Sequence, residues 1–210
     1  RSMSELTIIM YHYVRPIKES RFPGIKGLEL SSFVNQLDYL SEKFTIVSTE
    51  QIVNAQLKGI SLPKNSCWLT FDDGYKDHVS YVMPELLRRG LHGAFFPPRA
   101  AIEENDVLNV KLSHHILSFS DKIKKLSSEL DNYSLSEGVT EADLSKYYSE
   151  YAHPNRFDDA DTIYVKRMLQ HALPDQVRSK VADKLFEKYV GIDTGQFSNE
   201  LYMSANDVCE

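Results

Sequence analysis

The segment Trp68-Leu69-Thr70-Phe71-Asp72-Asp73-Gly74-Tyr75 is a short apolar, β-favouring run that ends in two adjacent carboxylates and a glycine. An unpaired carboxylate is costly to bury, because it loses its hydration and nothing replaces it. We therefore expect both aspartates at the mouth of a strand, near solvent or a cation. Gly74 can adopt a positive φ and turn the backbone away, which leaves the two side chains at the strand end. Taken alone, Asp-Asp-Gly is also compatible with a solvated surface turn.

Strands and helices alternate through the first hundred residues. Apolar runs predict strands at 6–13, 45–47, 67–71 and 93–96, and helical periodicity fills the segments between them. This alternation predicts parallel βαβ units, an α/β fold that curls toward a barrel or forms an open doubly wound sheet. The C-terminal ends of such strands share one face, so we expect His12, Asp72, Asp73 and Pro97 to lie together.

The glycine content and the spacing of apolar residues change near Leu108. Glycine nearly vanishes and apolar residues recur every three or four positions, which predicts an α-helical insertion of roughly ninety residues. Its clearest helix starts at Pro174 and ends at Gly191. The sequence thus predicts three parts: 1–107, the N-terminal part of the α/β domain; 108–200, the helical insertion; and 201–210, a return to the first domain. In the last part, Ser204 with Asp207 has the pattern of a helix N-cap.

Composition excludes some classes of function. The 210 residues include 24 basic and 30 acidic side chains, a net charge of -6, which argues against nucleic-acid binding. No apolar run approaches twenty residues, so we expect no transmembrane segment. Cys67 and Cys209 form neither a Cys-x-x-Cys motif nor a disulfide framework, which favours a reducing, cytoplasmic location. The sequence gives no indication of oligomeric state.

The string Thr70-Phe71-Asp72-Asp73-Gly74-Tyr75, with Ile9-Met10-Tyr11-His12-Tyr13-Val14 before it, resembles the polysaccharide deacetylases of the NodB-homology type, carbohydrate esterase family four. The resemblance covers residues 6–97 and extends to 200–210. It implies a partial (β/α) barrel of that type carrying the helical insertion. It also implies Asp72 as the catalytic base and Asp73 as a ligand of a divalent metal, with Zn²⁺ expected first and Co²⁺, Mn²⁺ or Ni²⁺ as alternatives.

The function implied is the metal-dependent hydrolysis of an N-acetyl or N-formyl group on a carbohydrate substrate: a sugar, polysaccharide or glycolipid. We assign substrate binding to His12 and Tyr75. For His12 the alternative is a structural histidine, hydrogen-bonded at the end of its strand. For Tyr75 the alternative is a residue that packs beside the turn.

The sequence also departs from that family. Its members complete the metal site with a His-x-x-x-His motif, whereas no two of the seven histidines here are four positions apart. We therefore expect the chain to be the front part of a longer protein, cut before that motif and inactive alone. The alternative is a non-catalytic glycan-binding relative or scaffold that has lost the metal site. A Mg²⁺-dependent phosphotransfer enzyme is a weaker hypothesis, because no phosphate-binding loop accompanies the acids.

Overall fold

A computed structural model describes residues 5–103 and 107–209 of the protein. The chain forms two compact units. The first comprises Arg1–Asn105 and Asn199–Glu210, and the second comprises Asp106–Ser198. No helix in the described part of the chain is both long and apolar enough to cross a membrane.

The first unit is built on a parallel sheet with one central strand. Its strands are β1 (Leu6–Tyr11), β2 (Val14–Arg15), β3 (Leu28–Glu29), β4 (Thr45–Ile46), β5 (Ser66–Asp72) and β6 (Ala94–Phe96). The central strand β5 pairs in parallel with β1, β4 and β6, while β2 and β3 form a separate parallel pair. The predicted parallel α/β arrangement is confirmed. Among the described residues the sheet is open and does not close into a barrel.

Helices alternate with these strands along the chain. They are α1 (Leu30–Lys43), α2 (Thr49–Lys58), α3 (Met83–Arg89) and α4 (Arg99–Glu103). At the start of α2, Ser48 and Gln51 form a reciprocal capping box, and Gly59 ends the helix in the left-handed conformation. A wide helical turn, His78–Val82, precedes α3. It arises where Pro84 removes a backbone donor, and the Met83 N–H bonds to the carbonyl of His78 five residues back.

The two faces of the central sheet differ in their exposure to solvent. Side chains alternate along a strand, and Cys67, Leu69 and Phe71 of β5 are fully buried in the core with side chains of α1 and α3. Asp72 therefore lies on the opposite face. On that face Ile8 and Met10 of β1 are 56% and 60% exposed. The central strand thus presents Asp72 on an accessible surface.

The described elements of the second unit are all helical. They are α5 (Asn109–Phe119), α6 (Ile123–Ser136), α7 (Glu141–Tyr151), α8 (Ala160–Arg167), a wide turn at Met168–Ala172, α9 (Asp175–Val190) and α10 (Thr194–Leu201), the last three residues of which belong to the first unit. The predicted helix after Pro174 is confirmed as α9, and Gly191 ends it in the left-handed conformation. The chain then returns to the first unit. There α11 (Ala205–Cys209) follows Ser204, whose hydroxyl accepts the Asp207 N–H at 3.2 Å as predicted.

Two local predictions were wrong. The strand predicted at 6–13 ends at Tyr11, because the Tyr13 carbonyl instead accepts the Leu28 N–H at 2.9 Å and so joins the separate β2–β3 pair. The apolar spacing of Val79, Val82, Met83, Leu86 and Leu87 predicts one buried helical stripe, but Leu87 is 75% exposed. It follows Leu86, which takes the buried position, and neighbouring residues on a helix point about 100° apart.

Candidate active site

The turn after β5 has two consecutive residues with positive φ. Gly74 has φ +60°, which confirms the predicted turn, and Asp73 has φ +73°. The left-handed conformation is uncommon for residues other than glycine, although aspartate is among those that tolerate it best. A Cβ on Gly74 would lie 2.7 Å from Pro97 Cβ and 2.8 Å from Pro97 Cα. Glycine is therefore needed here both for its conformation and for the close approach of Pro97.

The turn brings two of the predicted site residues together. His12 Nε2 lies 3.8 Å from Asp73 Oδ2, and their side chains are 43% and 21% exposed. Asp72, half-buried at the end of β5, pairs in register with Phe96 of β6. His12 directly follows β1, so all of these side chains lie at the carboxyl edge of the parallel sheet. An imidazole and two carboxylates thus face an accessible edge.

Tyr75 lies beneath this edge. Its hydroxyl donates to Asp73 Oδ2 at 3.0 Å, and the side chain is fully buried. The ring stacks on Tyr13, with centroids 4.1 Å apart, and on Tyr202, with centroids 6.1 Å apart. Burial raises the pKa of Tyr75 far above its ordinary value, so its hydroxyl stays protonated and can donate. The burial and stacking of Tyr75 fit the alternative given for it, a residue that packs beside the turn, and the substrate contact stays a prediction.

The segment after the turn also fixes the loop that carries His12. Arg15 Nε donates to Asp77 Oδ2 at 2.6 Å, and both side chains are only 11% exposed. Burial raises the pKa of Asp77, and Arg15 opposes that rise. His78 Nε2 lies 2.7 Å from the carbonyl oxygen of His12, and burial lowers the pKa of His78 to about 4. Sequence reasoning missed these residues, since the partners lie 62 and 66 positions apart and no local pattern links them.

The residues that follow the second unit support the turn from its other side. The Met203 N–H donates to the Gly74 carbonyl at 2.8 Å, and Tyr75 and Tyr202 form an antiparallel bridge. Lys76 Nζ lies 3.8 Å from Asp207 Oδ2. The turn is therefore held by residues from both ends of the first unit.

The described residues fit part of a metal site. The carboxylate of Asp73 and the imidazole of His12 are donor types that Zn²⁺ and similar cations bind, and protein sites for such ions use at least three ligands. Among residues 5–103 and 107–209, no group of three or more His, Cys, Asp or Glu side chains could hold a metal ion. A site for such an ion would need donors beyond these two side chains.

The solved structures described below resemble this chain over part of its length. No family model and no curated protein matches it. Among solved structures, it is similar to a de-N-acetylase from Aggregatibacter actinomycetemcomitans, with 24% identity and a TM-score of 0.41 over 50% of this chain and 40% of that one. It is also similar to the Streptococcus pyogenes deacetylase PplD in complex with acetate, with 21% identity and a TM-score of 0.37 over 45% of this chain and 42% of that one.

A third similar structure is IcaB from Ammonifex degensii, with 21% identity and a TM-score of 0.39. The likeness covers 55% of this chain and 52% of that one. The chain therefore spans 40% to 52% of the length of these three structures.

Proposed function

We propose that the chain supplies the aspartate pair of a metal-dependent hydrolase that removes an N-acetyl or N-formyl group from a sugar, polysaccharide or glycolipid. The observation that carries this proposal is the placement of Asp72 and Asp73 at the carboxyl end of the central strand, with His12 Nε2 3.8 Å from Asp73 Oδ2. A cytoplasmic location is part of the same proposal.

Asp73 would be one ligand of a divalent cation, Zn²⁺ first, with Co²⁺, Mn²⁺ or Ni²⁺ as alternatives. The remaining ligands would come from residues other than those described here. When bound, such a cation lowers the pKa of a coordinated water from 15.7 to about 7 and polarises a carbonyl oxygen. The hydroxyl of Tyr75 donates to Asp73 and so limits the orientations that this carboxylate can adopt. A ligand held in this way loses less conformational entropy on binding.

Asp72 would be the general base. Its carboxylate is half-buried at the strand end, within reach of the accessible edge, and it can accept the proton that the attacking water loses. Proton transfer of this kind contributes about 10²- to 10⁴-fold to a rate. His12, with its exposed imidazole beside Asp73, would contact the sugar or orient the carboxylates.

The alternative is a glycan-binding protein without catalysis. Phe96 is 50% exposed, lies in register with Asp72 and makes an edge-to-face contact with Trp68 at 6.2 Å. A sugar ring stacked on Phe96 would bring its hydroxyls to the Asp72 carboxylate, which can accept their hydrogen bonds. This alternative requires no metal ion.

The two hypotheses differ in what the protein releases. The protein that contains this sequence is incubated with N-acetylated glucosamine oligomers or an N-formylated sugar in the presence of Zn²⁺ or Co²⁺, and acetate or formate is measured. We expect acyl release that a chelator abolishes and Zn²⁺ restores. Asp72→Asn should lower kcat by at least about 10²-fold, whereas Asp38→Asn, an exposed position on α1, should leave it unchanged.

Two results would contradict the proposal. Turnover that persists in Asp72→Asn would exclude this residue as the base. Oligosaccharide binding that survives the chelator, without acyl release under any condition, would favour the glycan-binding alternative.

A further inference from the structure

His78 is a fully buried histidine that reaches the backbone of the loop carrying His12. Its Nε2 lies 2.7 Å from the His12 carbonyl oxygen. A carbonyl oxygen can only accept a hydrogen bond, so Nε2 must carry the proton. Because burial lowers the pKa of His78 to about 4, the ring is neutral at physiological pH, and Nδ1 is unprotonated.

The surroundings of this ring are aromatic. The rings of Phe71, Tyr75 and Phe95 lie around it, with centroid distances of 5.5, 5.6 and 5.9 Å. Nδ1 has no hydrogen-bond partner within the described part of the chain. A buried acceptor left unpaired costs about 1–3 kcal/mol. A phenylalanine would pack in this place without that cost, so what His78 adds is the hydrogen bond to the His12 carbonyl.

The neighbouring residues of the same loop are held by the same segment. Asp77 accepts hydrogen bonds from Arg15 Nε and from the Val14 backbone N–H, and the Tyr13 ring stacks on Tyr75. These contacts fix the loop from Tyr13 onward. The bond from His78 fixes the peptide plane directly after His12, and so acts on the residue whose side chain faces Asp73.

We infer that His78 is a positioning residue: its Nε2–H holds the His12 carbonyl and thereby holds the His12 imidazole beside Asp73. A fixed carbonyl restricts ψ of His12, and with it the direction in which the side chain leaves the backbone. The consequence for catalysis rests on the proposed function, because a misplacement of about 1 Å in an active site can cost about 10²-fold in rate. The positioning itself can be measured without turnover.

The test compares three variants. His78→Phe keeps a ring of similar shape but removes the donor, and His78→Gln keeps an N–H near the position of Nε2. His92→Phe, at an exposed position in the same unit, is the matched control. Long-range ¹H–¹⁵N NMR spectra of the histidine rings are recorded without substrate or metal. We expect wild-type His78 in the Nε2–H tautomer. The His12 ring signals should shift in His78→Phe and return toward their wild-type positions in His78→Gln.

Kinetics of acyl release provide the second measurement. We expect His78→Phe to lower kcat by about 10²-fold with KM changed less than about twofold. His78→Gln should recover most of that loss, and His92→Phe should resemble the wild type.

Three outcomes separate this inference from its alternatives. An Nδ1–H tautomer in the wild type, or unchanged His12 signals in His78→Phe, overturns it. If His78→Phe does not fold, the wild-type tautomer and the His12 signals of His78→Gln decide instead. If the protein releases no acyl group while the His12 signals move as expected, the positioning role is supported and only the proposed function fails.

Discussion

Replacing Gly74 by alanine tests whether the turn that carries both aspartates requires a residue without a side chain. Gly74 has φ +60°, and an L-residue in this conformation costs about 1–2 kcal/mol. The new Cβ would also lie 2.7 Å and 2.8 Å from Pro97 atoms, and overpacking of this kind costs about 1–3 kcal/mol. The sum predicts a loss of about 2–5 kcal/mol in the free energy of unfolding.

Gly59 provides the control that separates these two costs. It has φ +66°, but a Cβ there would meet nothing within 4 Å. Gly59→Ala should therefore show the conformational cost alone. The difference between the two variants, about 1–3 kcal/mol, measures the contact with Pro97.

The assay is urea unfolding followed by the fluorescence of Trp68, the single tryptophan of the sequence. Trp68 lies in β5, in the same unit as both glycines, so its signal reports the unit that the substitutions perturb. We expect Gly74→Ala to lose at least about 1 kcal/mol more than Gly59→Ala. Equal losses would refute the idea that Pro97 excludes a side chain at this position.

Three further perturbations test the supports of the site. Tyr75→Phe removes the hydroxyl that donates to Asp73, and we expect a loss of about 1.5–3 kcal/mol in the same urea assay; an unchanged midpoint would show that this bond adds no stability. Arg15→Met leaves the Asp77 carboxylate buried without its cation, so the free energy of unfolding should fall by about 3–5 kcal/mol. A fall of less than about 1 kcal/mol would show that Asp77 does not depend on Arg15 for its burial. The pKa of His78 is lowered to about 4 from 6.5, so the native state binds this proton less readily than the unfolded state. The contribution of His78 to the free energy of unfolding is complete above pH 6.5 and falls by about 3 kcal/mol as the pH drops to 4. The free energy of unfolding should therefore change between pH 7 and pH 4 by about 3 kcal/mol less in His78→Phe than in the wild type. An equal change in both proteins would contradict the shift.

Local signals in the sequence identified much of the fold. The apolar run before Asp72 predicted the central strand, and the glycine after the two acids predicted the turn. Ser204 was recognised as the start of a helix because the cap pairs it with Asp207, only three positions away. Such features depend on neighbouring residues, which a sequence displays directly.

Other features of the site depend on residues far apart in the chain. The burial of Tyr75 follows from its stacking on Tyr13 and Tyr202, and neither contact leaves a pattern near Tyr75 itself. Arg15 and Asp77 pair across 62 positions of the chain, and no local pattern near either residue indicates that pairing. The positive φ of Asp73 had a weak local signal, since aspartate tolerates this conformation, but the adjacent glycine accounts for a turn by itself.

The hydrogen bond between Met203 and Gly74 has a consequence for biosynthesis. About 130 residues separate its two ends, and they include the whole of the second unit. A ribosome adds about 5–20 residues per second, so Gly74 is made roughly 6–26 s before Met203 exists. During that interval the turn that carries both aspartates must form without this hydrogen bond, supported only by contacts from residues made earlier.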